Sequence, residues 1–100
     1  MQSASAMPRV VLAPALARWI VAAGDAVGER VLEVNVADVA GALAEVFAQF
    51  PQLRGYVVDE HGAVRHHVTL FVDGSAMRDK TALDQPLRAE LYVMQALSGG

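Results

Sequence analysis

The first third of the chain follows the two-residue hydrophobic period that is typical of strands. Residues 9–13 form a short, β-branched run that Pro14 stops, because proline lacks a backbone donor. Residues 30–36 alternate polar and apolar side chains, as a half-buried strand does. Gly24 and Gly28 mark a loop before this second run. The pattern predicts two strands joined as a hairpin, with a helical turn over residues 15–20.

The next segment changes to a helical period. Five large apolar residues lie on one stripe, at relative positions i, i+4, i+7, i+8 and i+11: Val39, Leu43, Val46, Phe47 and Phe50. Asp38 is a suitable N-cap, because its carboxylate can accept a free amide of the first turn. Pro51 ends the helix, since the residue before a proline is driven out of the helical region. One core-facing helix is therefore predicted, followed by a connection over residues 52–62.

The second half returns to strands. Residues 67–72 form the strongest apolar run, and Asp73-Gly74 directly after it indicates a tight turn that leads into a short strand at residues 76–78. A turn at 84–87 precedes a final strand at 90–95. The order is strand, strand, helix, strand, short strand, strand. One helix packed across a mixed sheet is the α+β arrangement called a β-grasp, which is the predicted fold.

Composition narrows the function classes. One hundred residues suit a single domain, and a formal net charge of −3 is the reverse of the basic footprint that nucleic acids require. The absence of cysteine excludes disulfides, thiolate metal sites and a cysteine nucleophile. Residues 10–23 are apolar but contain Pro14 and Arg18, and they fall short of the roughly 20 residues of a membrane span. No secretory signal is present, so we expect a cytoplasmic protein without nucleic-acid or membrane partners.

Catalytic and metal sites have little support in the sequence. The acidic residues that could form a catalytic pair all lie at turn-like positions, where carboxylates commonly solvate loops: Asp59, Glu60, Asp73, Asp79 and Asp84. His66 and His67 are neighbours at the predicted strand, and neighbours on a strand point to opposite faces, which disfavours a shared ion. We therefore expect neither an enzyme nor a bound metal or cofactor.

The final residues, Gly99 and Gly100, have a specific physical use. Residues without a Cβ can enter a narrow groove in extended form and present the terminal carboxylate unhindered to another enzyme. The alternative is that the two glycines simply belong to a flexible end. The predicted organisation is a disordered N-terminus at 1–8, a domain at 9–97 and a flexible tail at 98–100.

From Val10 to Gly100 the chain resembles the ubiquitin-like sulfur carriers of the MoaD/ThiS type, which include the small subunit of molybdopterin synthase and the thiamine sulfur carrier. The resemblance rests on HVTLFVDG at 67–74, TALDQPL at 81–87 and ELYVMQALSGG at 90–100. The molybdopterin branch usually has aromatic residues at the positions of Ala13 and Met94. The segment 66–78 is more similar to stand-alone carriers of the family.

The resemblance implies a mechanism in which the chain is a substrate. A ubiquitin-activating-like adenylyltransferase uses ATP and Mg²⁺ to adenylate the Gly100 carboxylate, next to the unhindered Gly99. A persulfide donor then converts the acyl-adenylate to a thiocarboxylate. The thiocarboxylate donates sulfide to a biosynthetic enzyme that makes a cofactor, cysteine, methionine or another sulfur metabolite. A metalloprotease that processes the tail is a further implied partner.

Two other functions remain open at this stage. A ubiquitin-like modifier would transfer the activated Gly100 to a lysine of another protein, and the single lysine of this chain, Lys80, limits the building of polymers. A plain β-grasp interaction module would not use the glycines at all.

A docking surface is predicted from strand alternation. If Leu91 and Val93 face the core, then Tyr92 and Met94 face outward, as does Phe71 on a neighbouring strand. Exposed aromatic and methionine side chains on one sheet face commonly mark interfaces. We therefore predict a partner-binding set that also includes two tail residues: Phe71, Tyr92, Met94, Leu97 and Ser98. The alternative is that loops cover the sheet residues as a second small core.

Overall fold

A computed structural model describes residues 7–17 and 28–95, which form a five-stranded sheet with helices. The longest helix in these two ranges has 11 residues, too short for the roughly 20 that a membrane-spanning helix needs. In chain order the elements are β1 Arg9–Leu12, α1 Pro14–Ala17, β2 Arg30–Glu33, α2 Val39–Gln49, a 3₁₀ turn Pro51–Leu53, α3 Arg54–Val57, β3 Val68–Val72, β4 Ser75–Ala76 and β5 Glu90–Gln95.

The sheet is mixed, and its last strand in sequence is its central strand. The spatial order is β2-β1-β5-β3-β4. β5 runs parallel to β1 and antiparallel to β3, while β2 and β4 are antiparallel to their neighbours at the two edges. β5 is therefore hydrogen-bonded along both sides, and the chain beyond Gln95 continues from this central strand.

The core lies between α2 and one face of the sheet. Asp38 caps α2 as predicted, accepting a hydrogen bond from the Gly41 amide at 2.7 Å. A Cβ at Gly41 would lie only 3.0 Å from the Cβ of Val36, so glycine suits this close approach. Phe47 is half-buried at the edge of this core, and six apolar residues of α2, β3 and β5 are buried in it: Leu43, Val46, Val68, Leu70, Leu91 and Val93.

The predicted element order is confirmed, but several boundaries differ. The predicted connection at 52–62 contains the 3₁₀ turn and α3, because Leu53 and Val57 are four residues apart and both are buried against the core. β2 stops at Glu33 rather than at residue 36. β3 begins at Val68, one residue later than predicted, and β4 occupies 75–76 instead of 76–78.

Most of the two predicted terminal segments lies outside the described residues. Residues 1–6, 18–27 and 96–100 are not described, so the predicted disordered N-terminus at 1–8 and the flexible tail at 98–100 stay predictions. The helical turn predicted at 15–20 is described only as far as Ala17, and residues 15–17 belong to α1.

Candidate functional site

The face of the sheet that is turned away from α2 carries the predicted docking residues. Phe71 lies directly opposite Tyr92, and Thr69 lies directly opposite Met94 across the β3–β5 pair. All four are half-buried, whereas the alternating β5 residues, such as Leu91, belong to the core. We call these four residues the outer patch. The predicted outward orientation of Phe71, Tyr92 and Met94 is what strand alternation requires.

The two aromatic rings of the outer patch pack against each other. The ring centroids of Phe71 and Tyr92 are 6.4 Å apart with an interplanar angle of 77°, an edge-to-face arrangement that aromatic pairs prefer. The pair belongs to one apolar row that crosses the whole sheet: Val31, Val11, Tyr92, Phe71 and Ala76. Val31, at one end of the row, is 53% exposed. The row thus continues the outer patch as an apolar strip.

Tyr92 reaches across a neighbouring strand. Its hydroxyl donates to Oε2 of Glu29 at 2.7 Å, and Glu29 directly precedes β2, on the far side of β1. The Tyr92 side chain therefore spans β1, and Val11 and Ala13 on this face are buried, at 5% and 8% exposure. The hydrogen bond to Glu29 raises the pKa of Tyr92, and partial burial and the charges of Glu29 and Glu90 add to it. Sequence reasoning missed Glu29.

A charged row borders the outer patch on one side. The Nε atom of Arg9 donates to Oε1 of Glu90 at 2.9 Å across the parallel pair, and Glu33 lies opposite Arg9 on β2. An exposed ion pair of this kind contributes little to stability. Its effect here is to place charge next to an apolar strip, the arrangement of a polar rim beside an apolar contact surface.

Asp73 fixes the point at which β5 begins. Asp73 and Gly74 form the predicted tight turn with φ values of +50° and +91°, and the Asp73 carboxylate accepts the amides of Arg88, Ala89 and Glu90 at 3.1, 2.7 and 3.0 Å. Burial pushes the pKa of Asp73 upward, but the three amides together with the charge of Arg88 lower it more, so the net pKa lies below the ordinary value. The carboxylate therefore joins the β3–β4 turn to the start of the central strand.

The tail residues of the predicted site lie outside the described residues. These are Leu97, Ser98, Gly99 and Gly100. The last described residue of β5, Gln95, lies opposite Val68, and five residues follow it in the sequence. The structure thus describes the strand from which the tail continues and the patch beside that strand.

The histidine pair is arranged differently from the prediction. His66 and His67 lie in a turn before β3, not on a strand, and their rings meet edge to face with centroids 5.9 Å apart. The argument from opposite strand faces is therefore wrong. Even so, within residues 7–17 and 28–95 no three histidine, aspartate or glutamate side chains lie together in a metal-binding group.

The carboxylate of Asp59, another turn residue, is hydrogen-bonded to the backbone. Asp59 accepts the amides of His61 and Ala63 at 2.8 and 3.1 Å, and these bonds, that of Ala63 first, lower its pKa. Such a carboxylate is an acceptor that is already occupied, as expected of a turn residue rather than a general base.

An apolar cleft of about 290 Å³ lies beside α2, on the side of the molecule away from the outer patch. Among its described lining residues Arg54 carries the only charge, and the rest are apolar or glycine: Ala40, Leu43, Ala44, Phe47, Val58, Gly62 and Leu83. The lining therefore offers neither an acid–base pair nor a nucleophile.

Three solved structures share the fold over nearly the whole chain. The crystal structure of SAMP1 from Haloferax volcanii gives a TM-score of 0.64 at 25% identity, covering 92% of this chain and 99% of that chain. A crystal structure of H. volcanii small archaeal modifier protein 1 gives 0.62 at 22% identity over 90% and 99%. The solution structure of the small archaeal modifier protein 1 from Methanosarcina acetivorans gives 0.60 at 18% identity over 94% and 98%.

No protein-family model matches the chain, and no curated protein matches it in sequence. The structural likeness and the five-stranded mixed sheet with its packed helix confirm the predicted fold, a ubiquitin-like β-grasp. The neighbours with this fold are named as small modifier proteins.

Proposed function

We propose that this chain is a ubiquitin-like sulfur carrier whose Gly100 carboxylate is activated by adenylation and converted to a thiocarboxylate. The observation that supports the proposal most is the position of β5. It is the central strand, bonded on both sides, and the segment that ends in Gly99 and Gly100 follows it directly. Because the tail continues from a rigid strand, a partner enzyme could bind the domain at one surface and the tail in its active site.

The proposed chemistry follows from the properties of a carboxylate. A carboxylate is a poor acyl donor until one oxygen becomes part of a good leaving group. Attack of the Gly100 carboxylate on the α-phosphorus of ATP releases pyrophosphate and forms the acyl-adenylate. The terminal sulfur of a persulfide then displaces AMP, and reductive cleavage of the sulfur–sulfur bond by a thiol leaves the thiocarboxylate. The ATP and Mg²⁺ belong to the activating enzyme, so the carrier itself needs no cofactor.

The outer patch is the proposed docking surface for the adenylyltransferase and for the enzyme that accepts the sulfide. Phe71, Tyr92 and Met94 are half-buried, rigidly placed by the strand pairing, and bordered by the charged pair of Arg9 and Glu90. Large aromatic and methionine side chains are frequent anchors at such surfaces. In this proposal Leu97 and Ser98 extend the contact from the patch into the groove that receives Gly99 and Gly100.

Mass spectrometry tests the proposal directly. The full chain is incubated with ATP, Mg²⁺, its activating enzyme and a persulfide donor, and a reaction without ATP is the control. We expect the C-terminal peptide to gain about 16 Da, since sulfur replaces one oxygen of the activated carboxyl group. An unchanged mass under conditions in which the enzyme hydrolyses ATP would contradict the proposal.

A second candidate function is a protein modifier. It is favoured by the names of the structural neighbours, which are small archaeal modifier proteins. The activation step is the same, but a lysine amine of a target protein then displaces AMP and forms an isopeptide bond with Gly100. The same experiment, with target proteins present, distinguishes the two functions, because a modifier yields a covalent adduct of higher mass. An interaction module would yield neither product.

A further inference from the structure

Lys80 is the only lysine in the sequence, and its ammonium group is bonded within the fold. Nζ donates to the carbonyl oxygens of Arg65 at 3.3 Å and His66 at 2.9 Å, and also to that of Val68. A lysine ammonium has three N–H donors and no acceptor. Each donor therefore has a main-chain partner, and the residue is half-buried rather than extended into solvent.

The sheet explains why a hydrogen-bond donor is needed at this position. β4 is only two residues long, and the last cross-strand amide on that edge of β3 is that of Met77, which donates to the Leu70 carbonyl at 2.8 Å. Carbonyls two residues apart on a strand point to the same edge, so the Val68 carbonyl also points to the β4 side. β4 does not extend far enough to supply a donor to Val68, and Lys80 supplies it.

The turn around Lys80 is itself held in place. The Asp79 carboxylate accepts both the amide of Thr81, at 3.0 Å, and its hydroxyl, and the Ala82 amide donates to the Asp79 carbonyl at 3.0 Å. Hydrogen bonds from Thr81 lower the pKa of Asp79, that of the hydroxyl more than that of the amide. The backbone on both sides of Lys80 is thus fixed in a geometry that directs its side chain toward β3.

We propose that Lys80 is a structural clamp and is withheld from acyl transfer. Acylation would require the neutral amine to attack the acyl carbon: the nitrogen–carbon bond forms, the bond to the leaving group breaks, and the amine proton passes to solvent. Nζ must first leave the three carbonyls for its lone pair to meet an acyl carbon. If the chain is conjugated through Gly100, as one form of the proposed function requires, each attached copy therefore offers no lysine amine to a further copy.

Chemical acetylation tests this inference without any activating enzyme. The folded chain carrying Arg54→Lys is treated with a limiting amount of the N-hydroxysuccinimide ester of acetic acid, and each lysine peptide is followed by mass spectrometry. Arg54 is exposed, so position 54 serves as a reference amine in the same molecule. We expect position 80 to react at least about tenfold more slowly, because it reacts only after local opening. Equal rates would overturn the proposal.

Thermal unfolding tests the clamp itself. Lys80→Met keeps the length of the side chain but removes the donors, and we expect the Tm to fall by about 5 °C or more, because three main-chain carbonyls lose their donor. Arg78→Met is the matched control, an exposed cation two residues away, and should change the Tm by less than about 2 °C. Equal Tm values for the two variants would contradict the clamp. Neither experiment depends on adenylation of Gly100, so either proposal can fail while the other stands.

Discussion

The two faces of the sheet are built from alternating residues of the same strands, yet they differ in chemistry. On the inner face Leu70, Leu91 and Val93 are 0% exposed beneath the helix. On the outer face Phe71 and Tyr92 are half-buried and Tyr92 bonds to Glu29. The centre of the inner face is apolar and buried, whereas the outer face combines half-buried apolar area with polar groups at its border.

This difference separates core packing from the proposed docking surface along a single strand. Because side chains alternate, a substitution at Leu91 affects the core, while one at Met94, three residues later, affects the outer patch. The proposed function needs such a separation, since a docking surface for several enzymes could then change without unfolding the domain. The comparison of the two faces is therefore open to experiment.

The largest effect is expected at the inner face. Leu91→Ala should lower the free energy of unfolding by about 2 to 5 kcal/mol, because it leaves a cavity at a fully buried position. Met94→Ala on the same strand should cost less than about 1 kcal/mol. Urea denaturation of both variants measures the two losses of unfolding free energy. Similar losses would show that the two faces contribute equally to stability.

A smaller effect is expected at Asp73, which joins the turn to β5. Asp73→Ala should cost about 1 to 2 kcal/mol, because three amides lose their acceptor and alanine is strained at a φ of +50°. The pKa of the folded carboxyl lies below the ordinary value. Its contribution is therefore complete above about pH 4 and is lost as the pH falls through the folded pKa.

Asp73→Asn sharpens that prediction. Asparagine tolerates the left-handed backbone and keeps one acceptor oxygen, so the variant should fold and retain part of the stability at neutral pH. Its stability should decline less than that of the original chain when the pH is lowered. Identical acid profiles would show that the Asp73 carboxylate does not stabilise β5 through its charge.

At the outer patch the expected effect is on binding. Phe71→Ala should weaken binding to the activating enzyme by about 1 kcal/mol or more, because it removes one of the two packed rings. The variant should remain folded at the temperature of the titration. Calorimetric titration measures the affinity, with Arg30→Ala as a control on the same sheet, outside the patch. Unchanged affinity would show that Phe71 of the outer patch does not bind the activating enzyme, and the proposed adenylation of Gly100 would be unaffected.

The smallest expected effect comes from the hydroxyl of Tyr92. Tyr92→Phe should cost about 0.5 to 1 kcal/mol at neutral pH, the contribution of one hydrogen bond. The pKa of Tyr92 is raised in the folded chain, so its contribution is complete below about pH 10 and is lost as the pH rises through the folded pKa. Stability measured between pH 8 and pH 11 should therefore fall less in the variant. A parallel decline would mean that the bond to Glu29 has no energetic weight.

The fold was largely predictable from the sequence because its main elements are local patterns. The Asp38 cap and the stripe on α2 lie within a few residues of one another, and Asp73-Gly74 is a turn signal by itself. α3 was missed because Leu53 and Val57 form too short an apolar pattern to distinguish from a connection.

The site was predictable only in part, since its polar contacts join distant parts of the chain. Tyr92 and Glu29 are 63 positions apart, and Lys80 lies 12 to 15 positions from the carbonyls that it binds. No spacing rule connects such positions before the sheet order is known. The orientation of Tyr92 was predictable from strand alternation, but its partner was not.

ATP–pyrophosphate exchange tests whether Gly100 is the group on which an activating enzyme acts. The full chain and a chain that lacks Gly99 and Gly100 are compared with the same adenylyltransferase, and the Tm of each is recorded as a control for folding. We expect exchange with the full chain, its loss on deletion, and nearly equal Tm values. Exchange that survives the deletion would show that Gly100 is not the group that is adenylated.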